Sequence, residues 1–209
     1  MLLKKPFSVF LIFSLISVNA FSQNWDIDLL TSINQKESSF KNSFCTVISN
    51  SVIFFNIAAP LSVFTAGVIR HDKQLKADAA YMLGGYIVSS VVTQGLKAIT
   101  QRPRPFITYP YIVKRTEGGG YSFPSGHTSA AFCTATSLSL LFPKWYVIAP
   151  CYLYAASVGY ARMYQGVHYP TDVIAGAIVG AGSAWLAYKV EKWRAKKNTI
   201  PKAKTPAAL

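Results

Sequence analysis

Three polar clusters, separated by apolar stretches, carry the residues that could do chemistry in this chain. Lys97 stands with Arg104-Pro105; Pro124-Ser125-Gly126-His127 follows; Arg162, His168 and Asp172 close the set. The spacings are Lys-x6-Arg-Pro, Pro-Ser-Gly-His and Arg-x5-His-x3-Asp. They supply three fixed cations, one carboxylate and two of the chain's three histidines. Phosphoryl transfer asks for this kind of set, because its barrier is lowered mainly by charge stabilisation on the equatorial oxygens. Lys97, Arg104 and Arg162 can provide that charge, the arginines through forked donors that match phosphate. Ser125 and the Gly126 N–H add donors, and a helix beginning at Thr128 would aim free amides at the anion. His168 is the nucleophile candidate, since Asp172 can hold its tautomer and stabilise developing charge. His127 is the candidate general acid for the leaving oxygen. Taken singly, each has a plainer reading. Lys97 and Arg104 could be snorkelling anchors, Ser125 a helix cap, and His168 and Asp172 a structural pair. The joint pattern favours chemistry. In the loops around these clusters the carboxylates are Glu117 and Asp172, too few for a Mg²⁺ or two-metal centre, so neither metal nor cofactor is expected.

These clusters must be positioned by the elements between them. The chain is 51% hydrophobic and 14% charged, against roughly 25% charged in an ordinary soluble domain. Five uncharged runs lie between ionisable residues: Val47–Ile69, Ala79–Leu96, Thr128–Pro143, Trp145–Ala161 and Val173–Tyr188. The expected fold class is therefore all-α, a polytopic membrane bundle with five core transmembrane helices. The last three runs are short for a span of about 20 residues, which would hold their polar ends at headgroup depth. Thr128–Ser139 is rich in Ser, Thr and Ala, as a helix buried among others would be. Gly176 and Gly180 allow close backbone approach in the last run, and Pro60 and Pro150 are tolerable kinks.

The start of the chain is similar to a secretory signal: Lys4 and Lys5, an apolar Phe7–Val18, then Val18-Asn19-Ala20. Residues 1–20 are read as a signal peptide or an additional first span. Residues 24–43 are read as an amphipathic segment on the outer surface or a linker, 44–193 as the membrane domain, and 194–209 as a basic cytoplasmic tail. The formal charge of +13 is concentrated in part between Lys189 and Lys204, after the last apolar run. That placement fits the positive-inside bias and argues against nucleic acid as a partner. The loop from Arg70 to Lys76, with Lys144 and the tail, then faces the cytoplasm. His71 in that loop is read as an ordinary loop residue. The three clusters fall on the opposite side, where cations run against the bias and phosphate binding would explain them. Arg102, Lys114, Arg115 and Glu117 are read as solvated loop charge, and Glu117-Gly118-Gly119-Gly120 as a flexible hinge. Cys45, Cys133 and Cys151 have no metal-ligand spacing and read as small hydrophobes.

Between Lys97 and Asp172 the chain resembles the type-2 phosphatidic acid phosphatase superfamily, whose pattern is Lys-x6-Arg-Pro, Pro-Ser-Gly-His and Ser-Arg-x5-His-x3-Asp. One position departs: Ala161 stands where the family usually has serine, which is expected to remove a hydroxyl near the phosphate. The resemblance implies an integral-membrane lipid phosphatase of a bacterial inner membrane with a periplasmic site and a phosphohistidine intermediate. Its implied substrates are lipid A phosphates or undecaprenyl diphosphate, with phosphatidylglycerol phosphate and phosphatidic acid behind them. The partners are then a lipid phosphate and the surrounding lipids, with oligomeric state left open. Two other readings are a vanadate-dependent haloperoxidase on the same fold and a non-catalytic lipid-phosphate binding or transport protein.

Overall fold

The computed structural model describes residues 25–199, and every regular element among them is a helix. The leader-like start and the end of the basic tail lie outside the described residues. Helix α1 covers residues 25–34. It is followed by α2 (Ser39–Ile69), α3 (Lys73–Thr100), the short α4 (Pro105–Thr108), α5 (Gly126–Leu141), α6 (Trp145–Tyr164) and α7 (Pro170–Thr199). The helices outrun the uncharged runs because their ends accommodate polar residues. α3, for example, extends from Lys73 to Thr100, with Asp72 capping it through Gln74 N (2.7 Å) and Leu75 N (3.2 Å). Only α5 stays at 16 residues.

The packing is that of a bundle whose solvent is lipid. α2 turns Cys45, Ser49, Val52, Asn56, Pro60, Val63 and Gly67 inward at three- and four-residue spacing. Its large apolar side chains, among them Ile53, Phe54, Ile57, Leu61 and Phe64, point outward and are exposed. A soluble helix does the reverse; small and hydroxyl-bearing residues between helices with bulky ones outside is the membrane pattern. α2 and α7 are long and apolar enough to cross a bilayer. α5 is the hub, enclosed by α2, α3, α6 and α7, and Thr128, Ser129, Ala131, Cys133, Ala135 and Ser137 on it are all buried. Polar atoms in this interior pair across helices, as in Ser89 Oγ with Ser129 Oγ (2.6 Å) and Tyr81 Oη donating to Ser137 O (2.9 Å). The three cysteines are free thiols, and Cys45 and Cys133 are buried.

α5 and α7 pack closely against each other, and Gly176 and Gly180 make it possible. A Cβ at Gly176 would stand 2.6 Å from Ser125 O, and one at Gly180 would collide with Ser129 O. The small-x3-small spacing therefore serves packing within the chain. Gly180→Val is expected to lower stability by about 1–3 kcal/mol, because backbone rather than a flexible side chain stands in the way. The thermal midpoint in detergent measures it, and an unchanged midpoint would contradict the packing described.

α1 is a helix with one buried face, which a plain linker would not have. Asp26, Ile27, Leu30 and Asn34 are buried on its inner face, where Ile27 and Leu30 pack with Ile112 and Tyr169. Asn34 Nδ2 donates to Val113 O (2.9 Å) and Tyr164 O (3.0 Å), and its Oδ1 accepts from Val113 N (2.9 Å). The helix is thereby fastened across the loops at one end of the bundle.

Candidate active site

That end of the bundle gathers the C-termini of α3 and α6 and the N-termini of α5 and α7. α3 stops where Gln101 adopts a left-handed backbone (φ 47°) and returns its N–H to Lys97 O at 3.0 Å. The chain then enters Arg102-Pro103-Arg104-Pro105, where proline at the first position of α4 fixes the direction of Arg104. α6 stops in the same manner. Gly166 (φ 72°) returns its N–H to Met163 O, and Val167 N reaches Arg162 O, at 2.8 and 3.3 Å. A Cβ at Gly166 would strike Val113 O, so glycine is required. This turn delivers His168 back over the end of the bundle.

The result is one cavity of about 560 Å³. Its walls include Lys97, Arg104, Gly126, His127, Arg162 and His168, two from each of the three sequence clusters. Asp172 is fully buried behind His168, with Oδ2 at 3.4 Å from Nδ1. The same oxygen accepts from Tyr169 N (2.9 Å) and from Ser122 Oγ. A proton held on Nδ1 by Asp172 puts the lone pair on Nε2, at the other side of the ring, where it accepts from an Arg104 terminal nitrogen at 3.4 Å. Burial pushes the His168 imidazole below the ordinary histidine range. The hydrogen bond and charge of Asp172 oppose that shift, while Arg162 and Arg104 add to it. The ring is thus neutral at physiological pH, the state a nucleophile needs.

Each cation is held by groups that leave its charge unspent. Arg104 donates from Nε to Gly120 O (3.1 Å) and from its two terminal nitrogens to Val167 O (2.9 Å) and Gly119 O (2.7 Å). These carbonyls fix the fork without neutralising it. The Glu117–Gly120 segment, read from sequence as a hinge, is therefore a cradle and part of the cavity wall. Arg162 is steadied through one terminal nitrogen by Ser49 Oγ (2.8 Å) and Gln165 Oε1 (3.0 Å). Lys97 Nζ donates to Tyr121 O and, at 3.4 Å, to Ser122 O. Cations so placed attract an anion of two or more charges.

Four details correct the sequence reading. α5 begins at Gly126, two residues before Thr128, so the free amides of its first turn begin at the cavity wall. Ser125 is fully buried behind Gly126, and its hydroxyl accepts from Thr128 Oγ1 at 2.9 Å, which makes it a brace for the helix start. Ala161 is buried in an apolar cluster with Cys45 and Tyr164 and is not a wall of the cavity, so the missing hydroxyl takes nothing from it. Arg102 is not a solvated charge: it donates to Asp26 Oδ2 (2.6 Å) and Asp172 Oδ1 (2.8 Å). Sequence reasoning also missed Ser49, Ser122 and Gln165, whose residue types carry no signal of their own. Among the described residues no group of three or more His, Cys, Asp or Glu could hold a metal ion.

A helical membrane-type bundle that closes a cationic, two-histidine cavity at one end defines a phosphotransfer class of protein. The chain belongs to the PAP2 superfamily, whose profile matches residues 78–196. It is 30% identical over 174 residues to the lipid A 4'-phosphatase of Bacteroides thetaiotaomicron, covering 80% of this chain and 77% of that protein. It is 27% identical over 171 residues to an undecaprenyl-diphosphatase of Sulfolobus acidocaldarius, covering 80% and 79%. The crystal structure of Aquifex aeolicus LpxE superposes with a TM-score of 0.65 at 30% identity, covering 79% of this chain and 95% of that one. The chain is thus a PAP2 membrane phosphatase.

Proposed function

We propose that this protein hydrolyses a lipid phosphate, a lipid A phosphate or undecaprenyl diphosphate, at the periplasmic face of a bacterial inner membrane, through a phosphohistidine intermediate. The observation that carries this reading is the convergence of Lys97, Arg104, Gly126, His127, Arg162 and His168 on one cavity, with Asp172 behind the nucleophile. α2, α3, α5, α6 and α7 are the five spans of the proposed topology. The basic loop from Arg70 to Lys76, Lys144 and the basic end of α7 then face the cytoplasm. The relatives named for lipid A and for undecaprenyl diphosphate support these two substrates.

His168 Nε2 attacks phosphorus while Lys97, Arg104, Arg162 and the first-turn amides of α5 hold the non-bridging oxygens. The bond to the lipid oxygen breaks, and His127 gives that oxygen its proton. Water then attacks the phosphohistidine with His127 as base, releasing inorganic phosphate and restoring the imidazole. A second cavity of about 240 Å³ opens beside the first and shares Gln94, Gly126 and His127 with it. Its walls include Val52, Ile53 and Tyr86 from α2 and α3, so a leaving group that stays in the bilayer has room next to the acid.

The test is the purified protein in detergent, offered lipid A, undecaprenyl diphosphate, phosphatidylglycerol phosphate and phosphatidic acid with EDTA present, and scored for released phosphate. Release from one of the first two, unaffected by EDTA, is the expected outcome. A strict divalent-cation requirement, or no release from any of the four, would overturn the proposal.

A further inference from the structure

We propose that Asp26 and Arg102 are positioning residues for the reaction, forming a relay that fixes the Asp172 carboxylate and through it the tautomer and orientation of His168. The inference rests on the assignment of His168 as nucleophile and adds to it residues that the three-cluster pattern does not contain. Asp26 sits in α1, outside the stretch that matches the superfamily profile, and is 1% exposed. Its Oδ2 accepts from Arg102 (2.6 Å) and from Thr171 Oγ1 (2.6 Å), and its Oδ1 from Thr171 N (2.8 Å). A carboxylate buried this deeply needs such compensation. Arg102 spends its other terminal nitrogen on Asp172 Oδ1 (2.8 Å) and Thr171 Oγ1 (2.7 Å), and its guanidinium lies 3.8 Å from the centre of the Tyr169 ring. Asp172 is thus gripped on both oxygens, Oδ1 by Arg102 and Oδ2 by Ser122, Tyr169 N and His168. Without the Oδ1 contact, the carboxylate is held through Oδ2 alone and turns more readily about its last bond. The acceptor of the His168 Nδ1–H proton is then less firmly fixed.

Electrostatics gives the relay a direction. Asp172 on α7, Arg162 on α6, Arg104 before α4, Lys97 on α3, His127 on α5 and Glu117 in the cradle are the charged or titratable groups facing His168. Arg102 lies one layer further out and partly cancels Asp172; Asp26 in turn partly cancels Arg102. Removing Arg102 leaves Asp172 less compensated, so His168 holds a proton to higher pH. Removing the charge of Asp26 acts in the opposite sense.

The experiment is a double-mutant cycle on the full chain in detergent, with lipid A as substrate. Asp26→Asn and Arg102→Gln are each expected to lower kcat by about tenfold or more with KM within about twofold. The double variant should fall by about the same factor, because Asp26 acts through Arg102. The acid limb of kcat/KM should move to higher pH in Arg102→Gln and not in Asp26→Asn. Additive losses, or a rise in KM at constant kcat, would overturn the relay. Should Arg102→Gln fail to fold, Arg102→Lys keeps the charge with a single contact and is expected to lie between wild type and Asp26→Asn. A wild-type kcat in Arg102→Lys would also sink the inference.

A substrate-free readout separates this claim from the catalytic one. The chain has three histidines, so in protein labelled with ¹⁵N-histidine the His168 ring signals are identified by their loss in His168→Ala. Wild type should show a single Nδ1–H tautomer, and Arg102→Gln a mixture. That mixture in an enzyme that releases no phosphate would retire the proposed function and keep the relay; an unchanged tautomer would retire the relay alone.

Discussion

Replacing His168 with alanine is expected to slow phosphate release from the lipid substrate by about 10⁵-fold, leaving substrate affinity nearly unchanged. Loss of a nucleophile removes the covalent route entirely, while the charges that bind the phosphate stay in place. Here those charges have supports besides the imidazole: Arg104 is held by three backbone carbonyls and Arg162 by Ser49 and Gln165. The measurement is single-turnover release alongside binding of the unreacted lipid. Release within tenfold of wild type would mean that another group attacks phosphorus. The pH profile checks the same assignment in the intact enzyme. Burial lowers the affinity of the His168 ring for protons, against Asp172 and with Arg162 and Arg104. The neutral form therefore persists below the ordinary histidine value of 6.5, and the acid limb of kcat/KM should lie beneath that pH. A limb at neutral pH would require the ring to be stabilised in its charged form, contrary to its buried position between two guanidinium groups.

The residues with the strongest chemical signatures were legible in the sequence. Lys97, Arg104, His127, Arg162, His168 and Asp172 are charged or titratable groups at the edges of apolar runs, where a structural role is costly to maintain. Gly126 was legible because glycine at a helix start admits an anion. The groups that hold these side chains were not. Ser49 meets Arg162 across 113 residues of chain, and Asp26 meets Thr171 across 145. Serine on an apolar helix or aspartate in a polar segment has many ordinary explanations, and only the fold selects among them. Arg102 was misread for a related reason: its position in a loop implies a charge held by water, but it is half-buried and its ionic partners come from α1 and α7. Ala161 shows the limit of a motif. Adjacency to Arg162 in sequence suggested adjacency to phosphate, yet a helix turns successive residues by about 100°, and position 161 faces the apolar interior.

The second large effect is expected at Arg104, where charge alone should prove insufficient. Arg104→Lys keeps one positive charge but replaces a planar fork by a single ammonium on a flexible stem. The cradle offers three acceptors in fixed directions, Gly119 O, Gly120 O and Val167 O, and the fork meets all three while presenting its remaining hydrogens to the cavity. An ammonium that turns toward the carbonyls leaves the phosphate, and one that reaches for the phosphate leaves the Glu117–Gly120 cradle without donors. Loss of one oxyanion donor typically costs about 10²–10³ in kcat, and Arg104→Lys is expected to fall in that range. Arg104→Ala should be lower still. The two substitutions are separated by guanidinium ion added to the assay, which should restore part of the activity of the alanine variant and little of the lysine variant, whose own ammonium occupies the space. Equal activity of Arg104→Lys and wild type would mean that the site reads charge and not geometry, and that the carbonyl cradle serves the loop rather than the reaction.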